Sequence, residues 1–308
     1  MIPKTRTLII SIPILIFLVI VPLYIPGYYT SLLINIFMFA ILAVSWIILS
    51  GYVGYISLAT AAFFGIGGYV TILLWTVFPL PLPILIIVSG LVSAIFAFVI
   101  GFPFLRIRGP YFIILTLGLS ELIKNIVTIY EVRVIGAVGA VLVGTPSMET
   151  FYYSLLVVGI ITIVTAQVIK NSKFGLGLFS IKGDEEAAEA MGVNTTLYKL
   201  AAFAISSLFM GCVGSIMVLR WTYVEPHIVF NPVITFQVAI MAILGGMSDF
   251  RGPILGAVVL TLISEAFGIQ YPYHYMILLG ITLILMVKFL PMGLLGSIER
   301  IRLKKKRV

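Results

Sequence analysis

Apolar residues run along this chain in long blocks, not in the alternating or every-third-or-fourth pattern of a soluble fold. A helix needs about 20 mostly apolar residues to cross the hydrocarbon core of a bilayer, and on that rule the chain holds about ten spans. They are Leu8–Ile25, Leu32–Leu49, Ser57–Phe78, Ile84–Leu105, Pro110–Tyr130, Phe151–Ile169, Leu200–Leu219, the shorter Val233–Leu244 and Ile254–Gly268, and Met276–Leu290. Punctuation falls between them, at Pro26-Gly27, at Pro79, Pro81 and Pro83, and at Gly245-Gly246. The first block has the basic start of a leader (Lys4, Arg6), but Leu23-Tyr24-Ile25-Pro26 offers no small-x-small cleavage site, so it reads as an anchor. The two shorter pieces have two readings. They are broken helices, which survive at membrane depth only where protein or a water-filled cavity satisfies their backbone, or they are thin, tilted packing helices.

Composition agrees with the pattern. Of 308 residues, 61% are hydrophobic and 10% charged, against about 45–50% and about 25% in a soluble domain. A water-soluble fold, a disordered chain and a disulfide-stapled domain are all excluded, the last because Cys212 is the single cysteine. The expected fold is all-α, a polytopic helical bundle forming one transmembrane domain over residues 1–308.

The net charge of +8 acquires meaning from its placement. With both termini cytoplasmic, every Lys and Arg except Lys124, Arg133 and Arg220 falls on the inside, as the positive-inside rule requires. The basic tail, residues 300–308, is then a juxtamembrane segment near anionic lipid and not a nucleic-acid patch. Asn194-Thr195-Thr196 fits a glycosylation sequon but lies on the cytoplasmic side. His227 and His274 lie in outside loops with no Cys, His or acid at metal-ligand spacing, so no metal is expected. Trp221, Tyr271, Tyr273 and Tyr275 suit the outer aromatic belt.

The longest charged stretch is the cytoplasmic loop 170–199. Within it, Asp184 is a good helix N-cap, Glu185 and Glu186 suit a first turn, and Gly192 is a natural C-terminal stop. A helix of about two turns follows. Its periodicity puts Ala187, Ala188 and Met191 on a small apolar face, with Glu185 and Glu189 on another side. Spacing alone allows either a capped surface turn or a helix shaped to seat in a groove of a soluble partner.

Glu121 and Lys124, three apart inside a span, are read as an ion pair, because an isolated charge at the bilayer centre costs roughly 2.5–3.5 kcal/mol. They line a path or form a structural pair. Ser207, Gly211 and Ser215 recur every fourth residue and allow close helix approach, within the subunit or between subunits. No G-x-x-x-x-G-K-[ST] loop and no catalytic set occurs. Such a chain is not an enzyme, needs no cofactor, and takes its energy from elsewhere.

Glu186-Ala187-Ala188-x-x-x-Gly192 resembles the loop of ATP-binding-cassette importer permeases that docks on the ATPase. Ser172-Lys173-Phe174-Gly175 through Asn194 resembles more closely the branched-chain amino acid permeases. So do Gly51-Tyr52-x-Gly54 through Gly67, Arg108-Gly109-x-Tyr111 leading to Glu121, Gly245-Gly246 through Ala257, and Pro291-x-Gly293-Leu294-x-Gly296. Of the two permease types, the chain is more similar to the M-type. The resemblance implies coupling to ATPase subunits through Asp184, Glu185, Glu186, Ala187, Ala188, Met191 and Gly192. It implies a homologous second permease, forming a heterodimer, and an extracytoplasmic binding protein. It also implies the plasma membrane of a prokaryote and a cargo of leucine, isoleucine or valine. Urea, short amides and other amino acids stay open as cargo. So do a secondary transporter or channel acting alone and a non-transporting scaffold. Candidate path residues are Gly51, Gly54, Ser57, Gly65, Glu121, Gly245 and Gly246. The family often has a Thr-Gly-Gly-rich external loop before the sixth span; in this chain the loop, within 131–150, is the apolar Val134–Ala140.

Overall fold

The computed structural model describes residues 13, 16–78, 80–270, 280, 281 and 293–295. Residues 8–12, 14 and 15 of the first expected span, all of the last span except residues 280 and 281, His274, the tyrosines 271, 273 and 275, and the basic tail lie outside the described residues.

The helices are α1 (Gly27–Leu49), α2 (Thr60–Val77), α3 (Leu82–Phe104), α4 (Pro110–Tyr130), α5 (Met148–Asn171), α6 (Lys173–Gly183), α7 (Glu185–Ala190), α8 (Thr195–Trp221), α9 (Pro226–Val229), α10 (Pro232–Gly245) and α11 (Arg251–Gln270). A two-residue antiparallel ladder joins β1 (Ala140–Val141) to β2 (Tyr223–Val224). Seven described segments are long and apolar enough to cross a membrane: α1, α2, α3, α4 run on to Val134, α5, α8, and α9 with α10 taken together. The chain is an all-α, multi-pass membrane protein. Prolines at the first helical turn start α3, α4, α9 and α10, where the missing N–H costs nothing.

The long α8 is the axis, and α1, α2, α3 and α5 pack around it. The contact is backbone on backbone. A Cβ on Gly67 would lie 2.2 Å from the Gly211 carbonyl oxygen, and one on Gly214 would lie 1.9 Å from that of Phe64. Hydroxyls bind the same seam: Thr71 Oγ1 bonds Ser215 Oγ at 2.6 Å and Ser89 Oγ at 2.8 Å. Ser207, Gly211 and Ser215 are all buried within the chain, so the small-residue stripe packs α8 inside the subunit and is no surface for a second one. Cys212 joins this packing, with its thiol against the Ile86 carbonyl at 3.4 Å.

Two expectations are corrected. One short piece is not short, since Ile254–Gly268 lies in the 20-residue Arg251–Gln270; the other, Val233–Leu244, lies in the 14-residue α10, which residues 230 and 231 separate from α9, the two together covering the 20 residues Pro226–Gly245. Glycine explains their crossing, because a Cβ on Gly245 would meet the Gly252 oxygen at 1.7 Å. The irregular backbone lies instead at 50–59. The span expected from Ser57 starts as helix only at Thr60. Other elements satisfy the buried backbone groups of this stretch and of the first turn of α2, as low-dielectric surroundings demand. Trp46 Nε1 donates to the Ser57 oxygen at 2.7 Å. Leu58 N–H donates to Thr116 Oγ1 at 2.9 Å, and Ala61 N–H to Thr235 Oγ1 at 2.9 Å.

Candidate functional site

Basic residues gather at one end of the bundle, around the turn from α6 to α7. Asp184 caps α7, its carboxylate accepting from the Glu186 and Ala187 N–H groups at 3.0 and 3.1 Å. At the other end Gly192 has φ 87°. Val193 N–H reaches back to the Ala188 oxygen at 3.1 Å, and Gly192 N–H to that of Glu189 at 2.9 Å. This is a Schellman closure with glycine in the left-handed position. A Cβ on Gly192 would meet nothing within 4 Å, so only its backbone angle restricts substitution. Gly192→Ala is therefore expected to destabilise the helix end by roughly 1–2 kcal/mol, and Gly192→Asn by less. Hydrogen exchange at the amides of 188–193 in lipid nanodiscs reads both; equal exchange in all three proteins would refute the closure.

Only one side of α7 faces the bundle. Glu185 and Ala188 point inward, whereas Glu186, Ala187, Glu189, Ala190 and Met191 are exposed, Met191 by 85%. Ala187, Ala188 and Met191 thus do not share a face, and Glu185 is not part of a free acidic flank with Glu189. The register is set by ion pairing, which periodicity cannot see.

Glu185 is the centre of that pairing. Its Oε1 lies 2.5 Å from Lys199 Nζ on α8. Its Oε2 accepts from the Tyr55 hydroxyl at 2.7 Å and lies 3.4 Å from Arg108 Nε. Lys199 also donates to the Leu105 oxygen at 3.0 Å and to Tyr55 at 3.3 Å, and it sits over the Tyr55 ring. Arg108 extends outward to Glu186 at 3.5 Å. Burial acts to raise the Glu185 carboxyl. The hydrogen bonds from Lys199 and Tyr55 and the charges of Lys199 and Arg108 outweigh it, so the group titrates below its ordinary range. Burial first, then the neighbouring Glu185, raises the Tyr55 phenol, which stays neutral and donates. Lys182 Nζ ties the end of α6 to the Gly51 oxygen at 2.7 Å. A cavity of about 420 Å³ opens beside this cluster, bounded by Gly54, Tyr55, Arg108, Lys182 and Glu185 among others.

One short helix is therefore joined to three structural parts: the irregular segment before α2, the link between α3 and α4, and the axial α8. Tyr55, Arg108 and Lys199 are the residues that sequence reasoning missed as partners. They stand far apart in the chain, and the only hint is a lysine at the fifth position of an apolar helix.

The path candidates are dispersed. Gly54 borders the cavity. Gly51, Gly65 and Ser57 are buried, Gly65 beneath the Phe230 ring and Ser57 in the irregular segment. Gly245 and Gly246 serve the α10–α11 crossing, and Glu121 pairs with Lys124 on α4. At the bundle's far end, Glu131 is buried, accepting from Tyr69 at 3.1 Å and from Gly139 N–H at 3.0 Å. The apolar loop Val134–Ala140 meets it through Gly139, and its β1 pairs with β2.

A family model described as "Branched-chain amino acid transport system / permease component" matches residues 28–287. The chain is 27% identical over 286 residues to the high-affinity branched-chain amino acid transport system permease protein LivM of Salmonella typhimurium, covering 83% of this chain and 65% of the relative. LivM of Escherichia coli is 25% identical with the same coverage. The chain thus spans about two thirds of the length of these relatives. BraD of Pseudomonas aeruginosa, a high-affinity branched-chain amino acid transport system permease protein, is 24% identical, covering 85% of this chain and 92% of the relative. No solved structure matches the chain.

Proposed function

Because the chain belongs to the family of branched-chain amino acid transport system permease components, we propose that it is a transmembrane subunit of an ATP-driven importer. Its cargo is leucine, isoleucine or valine. Separate ATPase subunits dock on α7, a homologous second permease completes the path, and an extracytoplasmic binding protein delivers cargo. The chain has no ATPase site of its own and resembles the M-type subunit. It sits in the plasma membrane of a prokaryote with both termini cytoplasmic. The seven described spans, α11 and the two flanking apolar blocks make up about ten spans.

The observation that carries this reading is the two-sided character of α7. Its inner side is locked by charge to three parts of the bundle, and its outer side, Glu186, Ala187, Ala190 and Met191, is open. A helix so short and so tied moves as a unit. Closure of an ATPase pair would pull Glu185, and through it Tyr55, Arg108 and Lys199. A rigid link of this kind converts a push at one end into a tilt of spans, which is alternating access.

The test is disulfide capture. Met191→Cys in the assembled importer should cross-link to a cysteine in the ATPase groove and stay unlabelled by an impermeant thiol reagent applied outside intact cells. Glu186→Arg with Gly192→Arg should release the ATPase while the chain still inserts. External labelling of Met191→Cys, or ATPase retained with full cargo-stimulated turnover in the double variant, would overturn the reading.

A further inference from the structure

Two opposite charges meet one face of α1 without meeting each other. Arg220 is the penultimate residue of α8. At 1.5 Å per residue it stands about 32 Å along that helix from Lys199, the depth of a hydrocarbon core about 30 Å thick. It therefore marks the end of the bundle away from α7. Its guanidinium donates to the Asn35 side-chain oxygen at 2.7 Å, and to the hydroxyl and carbonyl of Ser31 at 2.5 and 3.4 Å. All of these acceptors are neutral, and a guanidinium has donors to spare beyond them. Glu265 on α11 is the complement: its Oε1 accepts from the Tyr28 hydroxyl at 2.9 Å. Lys124, Lys170 and Lys199 each meet a carboxylate, but among the described residues no carboxylate pairs with Arg220 and no cation with Glu265.

The placement of the two charges is not independent. Tyr28, Ser31 and Asn35 are three and four residues apart, so they share one side of α1, and α1 packs against both α8 and α11. Arg220 and Glu265 thus reach the same face about one turn apart, further than an ion pair spans. A partly buried charge without a counter-charge is costly, and a ligand can supply what the chain does not. A guanidinium alone would suit any oxyanion, a lipid phosphate included. The carboxylate of Glu265 beside it repels a simple anion and favours a molecule that carries both charges. An α-amino acid holds its ammonium and its carboxylate on one carbon. Leu262, exposed and three residues before Glu265 on α11, offers an apolar contact for a branched side chain.

We propose that Arg220 and Glu265 form a site for the zwitterionic head of an amino acid. Arg220 takes the carboxylate, and Glu265 with the Tyr28 hydroxyl takes the ammonium. The inference rests on the importer reading above and names the part of the cargo that this subunit reads. A molecule with the same side chain and only one of the two charges leaves either Arg220 or Glu265 unmatched and is rejected.

The test uses the chain with its partner subunits in lipid nanodiscs, with the binding protein withheld so that competition is read on the membrane complex alone. The probe is a leucine analogue with a diazirine on its side chain. Irradiation should attach it to peptides from 27–35, 216–221 and 260–266. Unlabelled leucine should suppress the adducts; 4-methylpentanoate, which lacks the ammonium, and leucinol, which lacks the carboxylate, should not. Glu265→Gln should lower labelling about tenfold or more and let 4-methylpentanoate compete as well as leucine does. Arg220→Gln should do the same for leucinol. A merely structural role for either residue would lower labelling without changing which competitor is accepted. Adducts elsewhere or none, labelling unchanged in both variants, or a one-charge molecule competing equally in the unaltered protein would overturn the inference. So would unchanged labelling in Arg220→Gln together with loss of a bound anionic lipid in native mass spectrometry, which would assign the guanidinium to a phosphate. Leucine uptake with the loaded binding protein is measured in parallel in proteoliposomes. If ATP drives uptake and the labelling prediction fails, the site is wrong and the importer reading stands. If ATP drives no leucine uptake, both fail.

Discussion

Lys199→Met is expected to abolish cargo uptake and to leave ATP hydrolysis by the assembled importer indifferent to the loaded binding protein. The Lys199 side chain is 5% exposed and Glu185 is 11% exposed, so neither charge can turn to water when the other is removed. Removing one partner of a buried ion pair costs about 3–5 kcal/mol, because the remaining charge stays uncompensated. Glu185 would keep Tyr55 and Arg108, but Arg108 is half exposed and is a weaker anchor. Exposed pairs contribute roughly 0–1 kcal/mol, so Arg108→Met should reduce uptake far less. Docking and turnover are separate readouts: the Lys199→Met complex should still pull down its ATPase, because the outer face of α7 is unchanged. A variant that transports normally would show that α7 does not act through α8.

The same cluster has a pH signature with a definite sign. The Glu185 carboxyl titrates below its ordinary range in the folded protein. Its contribution is therefore complete above the unfolded carboxylate range and is lost as pH falls through the lowered folded value. Between those two limits the folded protein keeps the charge that the unfolded chain has already lost, so coupling should persist through mild acid. Glu185→Gln should flatten this acid limb of stability, read by thermal unfolding in detergent at graded pH.

Much of this architecture is legible in the residues, for reasons that differ by element. Span existence follows from hydropathy, which needs no neighbours. The caps of α7 follow from local chemistry, since Asp184 and Gly192 act on backbone groups within three residues of themselves. What is not legible depends on distant partners. The helix α6 reads as loop, because Gly175 and Gly177 are poor helix formers. It forms because Ser172 caps it and because no larger residue fits: a Cβ at Gly175 would meet the Ile169 oxygen at 2.0 Å, and one at Gly177 the Tyr198 ring at 2.3 Å. The inner and outer sides of α7 were likewise beyond periodicity, since Glu185 is drawn in by Lys199 and Tyr55, fourteen and one hundred and thirty residues away. The irregular segment 50–59 looks like any glycine-rich turn until Trp46 and Thr116 are seen to satisfy it.

Gly214→Leu should prevent a stable bundle from forming at all. The reason is geometric and does not depend on what the protein transports. A first side-chain carbon at position 214 would lie 1.9 Å from the Phe64 carbonyl oxygen and 2.8 Å from its carbon, and both atoms belong to the backbone of α2. A flexible side chain could move aside; a helix backbone moves only as a body. Separating α2 from α8 would also break the Thr71–Ser215 hydrogen bond and lift Gly67 from Gly211, because all lie on one seam. Overpacking a well-filled core by a few carbons typically costs about 1–3 kcal/mol or somewhat more, and an unsatisfied buried hydroxyl adds roughly 1–3 kcal/mol. Together these come to about 2–6 kcal/mol, enough to consume a stability at the low end of the typical range of about 5–15 kcal/mol. Gly118→Leu, on an exposed position of α4, adds the same side chain where, among the described residues, no atom lies within 4 Å of the added Cβ. Expressed alone, without partners, the Gly118 variant should therefore give a monodisperse peak in detergent with an unchanged melting temperature, while the Gly214 variant aggregates or is degraded. Equal behaviour of the two would mean that the α2–α8 seam has slack that the close carbonyl contact denies.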